Sequence, residues 1–210
     1  MRKIYTDIRN PTKVITRKLS SFILIAMRIT SGKLKGRLFS VPTDLRIRPT
    51  TDQAKEALFS ILNHRICFQD VRILDLFCGI GSISYEFASR GVPKINCVDI
   101  DHRCIKYVQE TIQKFQITQQ IQVVRSNVFA FLAINFVTPY DLIFADPPYR
   151  MLYKHLDLLV KLALQPQWVK PKGLMVLEHS SQQNTFCNHS YYKETRQYGQ
   201  VCFSFFEYLP

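Results

Sequence analysis

No stretch of this sequence comes near the roughly 20 consecutive apolar residues that a membrane-crossing helix needs. The apolar run Phe22–Met27 follows basic residues, but it is too short for the apolar core of a secretion signal. It also ends at Arg28 where a small-residue cleavage site would have to stand. A cytoplasmic protein, neither secreted nor membrane-bound, is the expectation. The cysteines at 67, 78, 97, 104, 187 and 202 include no Cys-x-x-Cys pair and no histidine at zinc-ligand spacing, which predicts reduced thiols and no metal. Internal repeats and low-complexity segments are absent as well.

Acidic residues are the other shortage. Sixteen Asp and Glu stand against 28 Lys and Arg, giving a formal charge of +12 that attracts polyanions such as nucleic acid or an acidic membrane surface. The imbalance is concentrated at the front, where residues 1–48 hold twelve of the basic residues and only Asp7 and Asp44. With 47% apolar residues in 210, the chain has enough material for one substantial core plus an accessory segment.

Residues 1–26 are basic and weakly patterned, and read as a tail or an upstream extension. From Arg28 to Pro49 basic and apolar residues alternate, which suits a short hairpin presenting charge on one side. Segment 27–50 is therefore taken as a basic hairpin and 51–210 as the main domain. Thr50 or Thr51 can cap a helix with apolar positions at Ala54, Leu58, Ile61 and Leu62.

Beyond Val71, short apolar strands alternate with amphipathic helices. Strands are expected at 71–77, 94–98, 121–124, 140–145 and 173–178, and helices at 81–89, 102–115 and, for the most part, 149–164. That order predicts an α/β fold with a mostly parallel sheet covered on both faces. Strands at 191–196 and 201–208 are separated only by Gln197–Gln200, too few for a crossover helix, so they should close the sheet as an antiparallel hairpin.

Ile73-Leu-Asp-Leu-Phe-Cys-Gly-Ile-Gly81 ends the first strand of this series with an acid and two glycines before a helix. Glycine allows close backbone approach to a ligand. A dinucleotide fingerprint would carry a third glycine, but Ser84 stands there, which disfavours a dehydrogenase. The acid Asp75 instead suits the ammonium of S-adenosylmethionine, held directly or through water. Phe77, Gly79 and Gly81 complete that loop. Asp99, closing the next strand with Ile100 beside it, can accept both ribose hydroxyls, and Asn127 after the third strand is placed for the adenine edge. Taken singly, Asp75 and Asp99 merely end strands and Asp101 merely caps a helix; together at successive strand ends they point to an adenosyl cofactor.

Asp146-Pro-Pro-Tyr149 follows the fourth strand and should face the same crevice. The exocyclic amine of a base is a poor nucleophile because its lone pair is delocalised into the ring. The carboxylate of Asp146 and the carbonyl of Pro147 can accept its two N–H bonds and aim the lone pair, while Tyr149 stacks on the base. In-line attack on a sulfonium methyl then needs alignment more than acid or base.

These residues resemble the class I methyltransferases with a Rossmann-like fold, and among them the RsmD-type 16S rRNA guanine-N2 methyltransferases. The resemblance runs through Met27-Arg-Ile-Thr-Ser-Gly-Lys-Leu-Lys-Gly-Arg37, Arg48-Pro-Thr-Thr-Asp-Gln-Ala-Lys-Glu-Ala-Leu-Phe59, the Asp75 loop, Ser126-Asn127, Asp146–Tyr149, Tyr198-Gly199 and Phe205-Phe-Glu-Tyr208. It implies methylation of one guanine of small-subunit rRNA, within an assembled or assembling particle, by a monomer. It also implies that Arg28, Lys33, Lys35, Arg37, Arg46, Arg48, Thr50 and Thr51 hold RNA. Many family members carry Phe where this chain has Tyr149, a variant that also resembles adenine-N6 enzymes acting on RNA or DNA. Methylation of a protein glutamine, and a non-catalytic RNA-binding module on the same fold, are the remaining alternatives.

Overall fold

The structure, a computed structural model, describes residues 25–41, 45, 50–134, 138–182 and 186–209. Strands β1 (Ile25–Arg28) and β2 (Leu38–Val41) form an antiparallel hairpin, and helix α1 (Asp52–Asn63) follows. Then come β3 (Arg72–Leu76), α2 (Ser82–Ser89), β4 (Lys94–Asp99), α3 (His102–Lys114), β5 (Ile121–Arg125), α4 (Val128–Leu132), β6 (Tyr140–Ala145), α5 (Tyr153–Ala163), β7 (Val169–Ser180), β8 (Tyr192–Tyr198) and β9 (Val201–Glu207). The main sheet has seven strands in the order β5-β4-β3-β6-β7-β9-β8. The first five are parallel, and β9 and β8 close it antiparallel as expected, joined by the two-residue turn Gly199-Gln200.

Each face of the sheet carries its own apolar layer. On one side α1, α2, α3 and the hairpin pack around Leu58, Tyr85, Phe87 and Val108; on the other, α4 and α5 pack around Leu159, Tyr140 and Trp168. Trp168 is wholly buried and donates its indole N–H to the Leu132 carbonyl at 3.0 Å. A side chain of that kind stabilises the fold by about 1.5–3 kcal/mol through burial alone, provided its polar atom finds a partner.

At their starts, four elements depart from the sequence expectation by more than one residue. β1 begins at Ile25, inside the segment read as a tail. α5 begins at Tyr153 rather than Tyr149, because Met151 N–H turns back to the Pro148 carbonyl before the helix can start. β7 begins at Val169, four residues early, because Val169 pairs with Tyr140 across an irregularity that accommodates Pro171 and the left-handed Lys172. α4 was not foreseen: five residues are too few to display a helical period, and its start is fixed locally by Asn127.

Candidate active site

Because β3 is followed by β4 on one side and β6 lies on its other side, the chain reverses direction across the sheet between β3 and β6. Open α/β sheets bind ligands outside the carboxyl ends of strands at such a point. Both sequence motifs leave the sheet there. Leu76 and Ala145 are register partners, and the next residue, Asp146, donates its backbone N–H to the Leu76 carbonyl at 3.2 Å.

The cofactor loop is shaped by its backbone. Phe77, Gly79 and Gly81 all lie in the left-handed region, with φ of 59°, 52° and 79°. For Phe77 that conformation is strained, a feature that concentrates at functional sites. At Gly81 a Cβ would fall 2.8 Å from the Tyr85 ring, so the turn into α2 admits only glycine. Asp99 ties this loop to β4, accepting from Gly79 N–H and Asp101 N–H at 2.8 Å each. Each carboxylate oxygen keeps lone-pair capacity for a hydroxyl donor. Asp101 serves as the α3 cap, and Arg103 beside it pulls its carboxyl down to about 2. Ile100 projects between these two acids, 60% exposed, an apolar surface of the kind a purine face covers.

Asp75 lies beneath the loop at 1% exposure and accepts from Ser84 Oγ at 2.6 Å. Burial, reinforced by the nearby charge of Asp99 and only partly offset by Ser84, pushes its carboxyl up to about 7. A cation arriving at the loop would relieve that penalty. Two residues before Ser84, the Ser82 hydroxyl is buried with no hydrogen-bond partner among the described residues, and the α2 N-terminus has no side-chain cap. A raised carboxyl, an orphaned hydroxyl and uncapped amides fit the ammonium and carboxylate of an amino-acid moiety. Sequence reasoning missed Ser82 and Ser84; their signal was two hydroxyls at the start of a helix that glycine alone cannot cap.

Asn127 is exposed at the end of β5, but its side-chain oxygen caps α4 by accepting from Phe129 N–H and Ala130 N–H. Only its NH2 group is left to meet a base. Within the tetrapeptide Pro147 is buried, and Tyr149, half-buried, donates its hydroxyl to Glu178 at 3.2 Å. Thr50 donates to the other oxygen of Glu178, so a single acid near the end of β7 ties Thr50 to the tetrapeptide. Thr51 caps α1 through Ala54 N–H.

The basic residues separate into two groups. Arg28 pairs with Asp52 in the first turn of α1, near Thr50 and the crevice. Lys33, Lys35 and Arg37 sit on the hairpin tip, which rests against Ser89 at the far end of α2. Arg46 and Arg48 lie outside the described residues. A cleft of about 580 Å³, lined by Arg65, Cys67, Lys170 and Gly173, opens at the amino edge of the sheet and shares no residue with these motifs.

Residues 27–207 match the family described as Conserved hypothetical protein 95. The chain belongs to this family. A putative rRNA methyltransferase of Bacillus subtilis is 34% identical over 155 residues, 73% of this chain and 82% of the relative. Ribosomal RNA small subunit methyltransferase D of Escherichia coli is 30% identical over 152 residues, 72% and 74% of the two chains. Among solved structures, a putative methyltransferase of Escherichia coli superposes with a TM-score of 0.76 at 26% identity, covering 88% of this chain and 98% of its own. The family match begins at Met27, two residues after β1 starts, so the hairpin is part of what these proteins have in common.

Proposed function

We propose that this protein methylates the exocyclic N2 of a guanine in small-subunit rRNA, within the subunit or an assembly intermediate. The adjacency of the two motifs, stitched by Asp146 N–H to the Leu76 carbonyl, is the observation that carries the reading. S-adenosylmethionine, when bound, supplies an electrophilic methyl group on a sulfonium. Asp75 would balance its ammonium, the α2 N-terminus and Ser82 would take its carboxylate, Asp99 would accept from its ribose, and Ile100 would meet its adenine.

The target base leaves its stack and enters over Tyr149, whose ring is fixed at its hydroxyl end by Glu178. The Asp146 carboxylate and the Pro147 carbonyl would accept the two N–H bonds and aim the nitrogen lone pair toward the methyl group that the donor supplies. Forming the N–C bond would break the donor's methyl–sulfur bond, and the surplus proton on the methylated nitrogen would pass to water. No strong base is needed, because an ammonium of that kind is acidic.

Mass spectrometry of rRNA nucleosides from cells with and without the gene tests this directly: one N2-methylguanosine of small-subunit rRNA should disappear. Loss of an N6-methyladenosine instead would overturn the guanine assignment. In vitro, Asp146→Ala should lower methyl transfer at least a thousandfold while cofactor affinity stays within about threefold, because that carboxylate touches the acceptor and not the donor.

A further inference from the structure

The hairpin tip is locked in place. Thr30 donates its N–H and hydroxyl to Glu86 at 2.9 Å each, and Lys33 N–H and Leu34 N–H donate to the carbonyl and hydroxyl of Ser89 at 2.7 and 2.9 Å. A Cβ on Gly32 would stand 2.0 Å from the Ser89 carbonyl oxygen, so the tip seats only because that residue is glycine. Lys33, Lys35 and Arg37 are consequently carried by a rigid platform, with the Arg37 guanidinium 5.7 Å over the Phe115 ring.

Phe115 follows Lys114 at the end of α3, and Lys94 opens β4 just after α2 ends. All five basic residues are exposed, and among the described residues none is ion-paired; the nearest acid along α3, Glu110, faces Lys106. The patch is far from the crevice. Ser89 is eight residues along α2 from Gly81, about 12 Å, and Lys114 is thirteen along α3 from Asp101, about 20 Å. Lys94 is five residues of strand below Asp99, about 17 Å.

We infer that Lys33, Lys35, Arg37, Lys94 and Lys114 form a second RNA contact, a backbone-phosphate anchor at the amino edge of the sheet, remote from the base being methylated. This rests on the proposed rRNA substrate and adds its geometry: the RNA runs from the crevice along the α2–α3 flank to the opposite edge. A partner with evenly spaced negative charge fits a patch with five cations and no paired acid, and a pre-set platform avoids ordering flexible side chains from a mobile loop. Short RNA bearing only the target base and its neighbours fills the crevice and leaves the anchor empty.

The test measures binding of the full chain to a long structured rRNA fragment and to a short oligonucleotide across a salt series. In K33Q/K35Q/R37Q the slope of log affinity against log salt should become shallower by about 2 on the long RNA, and affinity at low salt should fall at least tenfold. The short oligonucleotide should bind wild type and variant alike. Gly32→Ala keeps every charge but unseats the tip, and should reproduce most of the loss; Lys161→Gln, on the opposite face, should not. An unchanged slope in the triple variant, or equal losses on both RNAs, overturns the anchor, as does binding to an acidic peptide in preference to RNA. These measurements need no turnover, so an anchor that passes while no rRNA is methylated faults the catalytic reading alone.

Discussion

Asp75 and Glu86 are both buried acids on the hairpin face of the sheet, 1% and 0% exposed, and the chain treats them in opposite ways. Glu86 is surrounded by donors from three elements: Lys55 Nζ at 3.2 Å, the Arg90 guanidinium, and the backbone and hydroxyl of Thr30. Lys55, itself wholly buried, also reaches Asp52 at 3.1 Å and the Arg28 carbonyl at 2.7 Å. Among the described residues Asp75 has Ser84 and no cation, and its carboxyl is pushed up to about 7. Burying a charge is tolerable when partners are built in, and costs several kcal/mol when they are not. Glu86 is thus finished by folding, while Asp75 is left for a positively charged ligand to complete.

Removing each acid should separate the two cases. Glu86→Ala strands Lys55 and Arg90 and should destabilise the protein by about 3–5 kcal/mol, visible as a large drop in the midpoint of chemical unfolding. It should also raise hydrogen exchange at the hairpin amides before those of β6, since a two-stranded sheet is marginal without its docking contacts. A loss below 1 kcal/mol would mean that the network is not holding the hairpin.

Asp75→Asn should act in the reverse sense on stability. The folded carboxyl is raised above its ordinary value of 3.8, so its burial is harmless below pH 4, and the wild type loses stability as pH rises toward 7. The asparagine variant escapes that loss, so it should be more stable than wild type at pH 8 by up to a few kcal/mol and nearly equal to it at pH 4. The same change should weaken S-adenosylmethionine binding about a hundredfold at pH 8 by calorimetry. A variant that is less stable at pH 8 would place Asp75 with Glu86, as an acid whose charge the fold itself needs.

The comparison also marks what the sequence could and could not reveal. Asp75 stood out because an acid, two glycines and a helix start lie within ten residues, and apolar runs such as Leu142–Ala145 betrayed the strands. Glu86, Lys55 and Arg90 read as ordinary polar helix positions, because the partners that bury them, Thr30 and Arg28, come from 27 or more residues away. The hairpin's charges were legible, but not their distance from the crevice, which depends on the seating of Gly32 against Ser89. The capping role of Asn127 was not legible, because the five-residue helix that it starts is too short to show a period.

The smallest effect is the pH dependence of wild-type cofactor affinity, and it bears most directly on the contrast. If the ammonium of S-adenosylmethionine completes Asp75, the bound state favours the carboxylate and the free state near pH 6 favours the acid. Binding must then release a proton below pH 7, with affinity rising by at most about tenfold per pH unit and levelling off above it. Titrations near pH 6 in two buffers of different ionisation enthalpy count that proton, and Asp75→Asn should abolish both the release and the slope. Glu86→Gln should leave them intact, because its charge is already matched by Lys55 and Arg90 with or without a ligand. A wild-type affinity that is flat between pH 5.5 and 8 would show that the cofactor's cation is balanced elsewhere, and Asp75 would then be a strained strand end rather than half of a binding site.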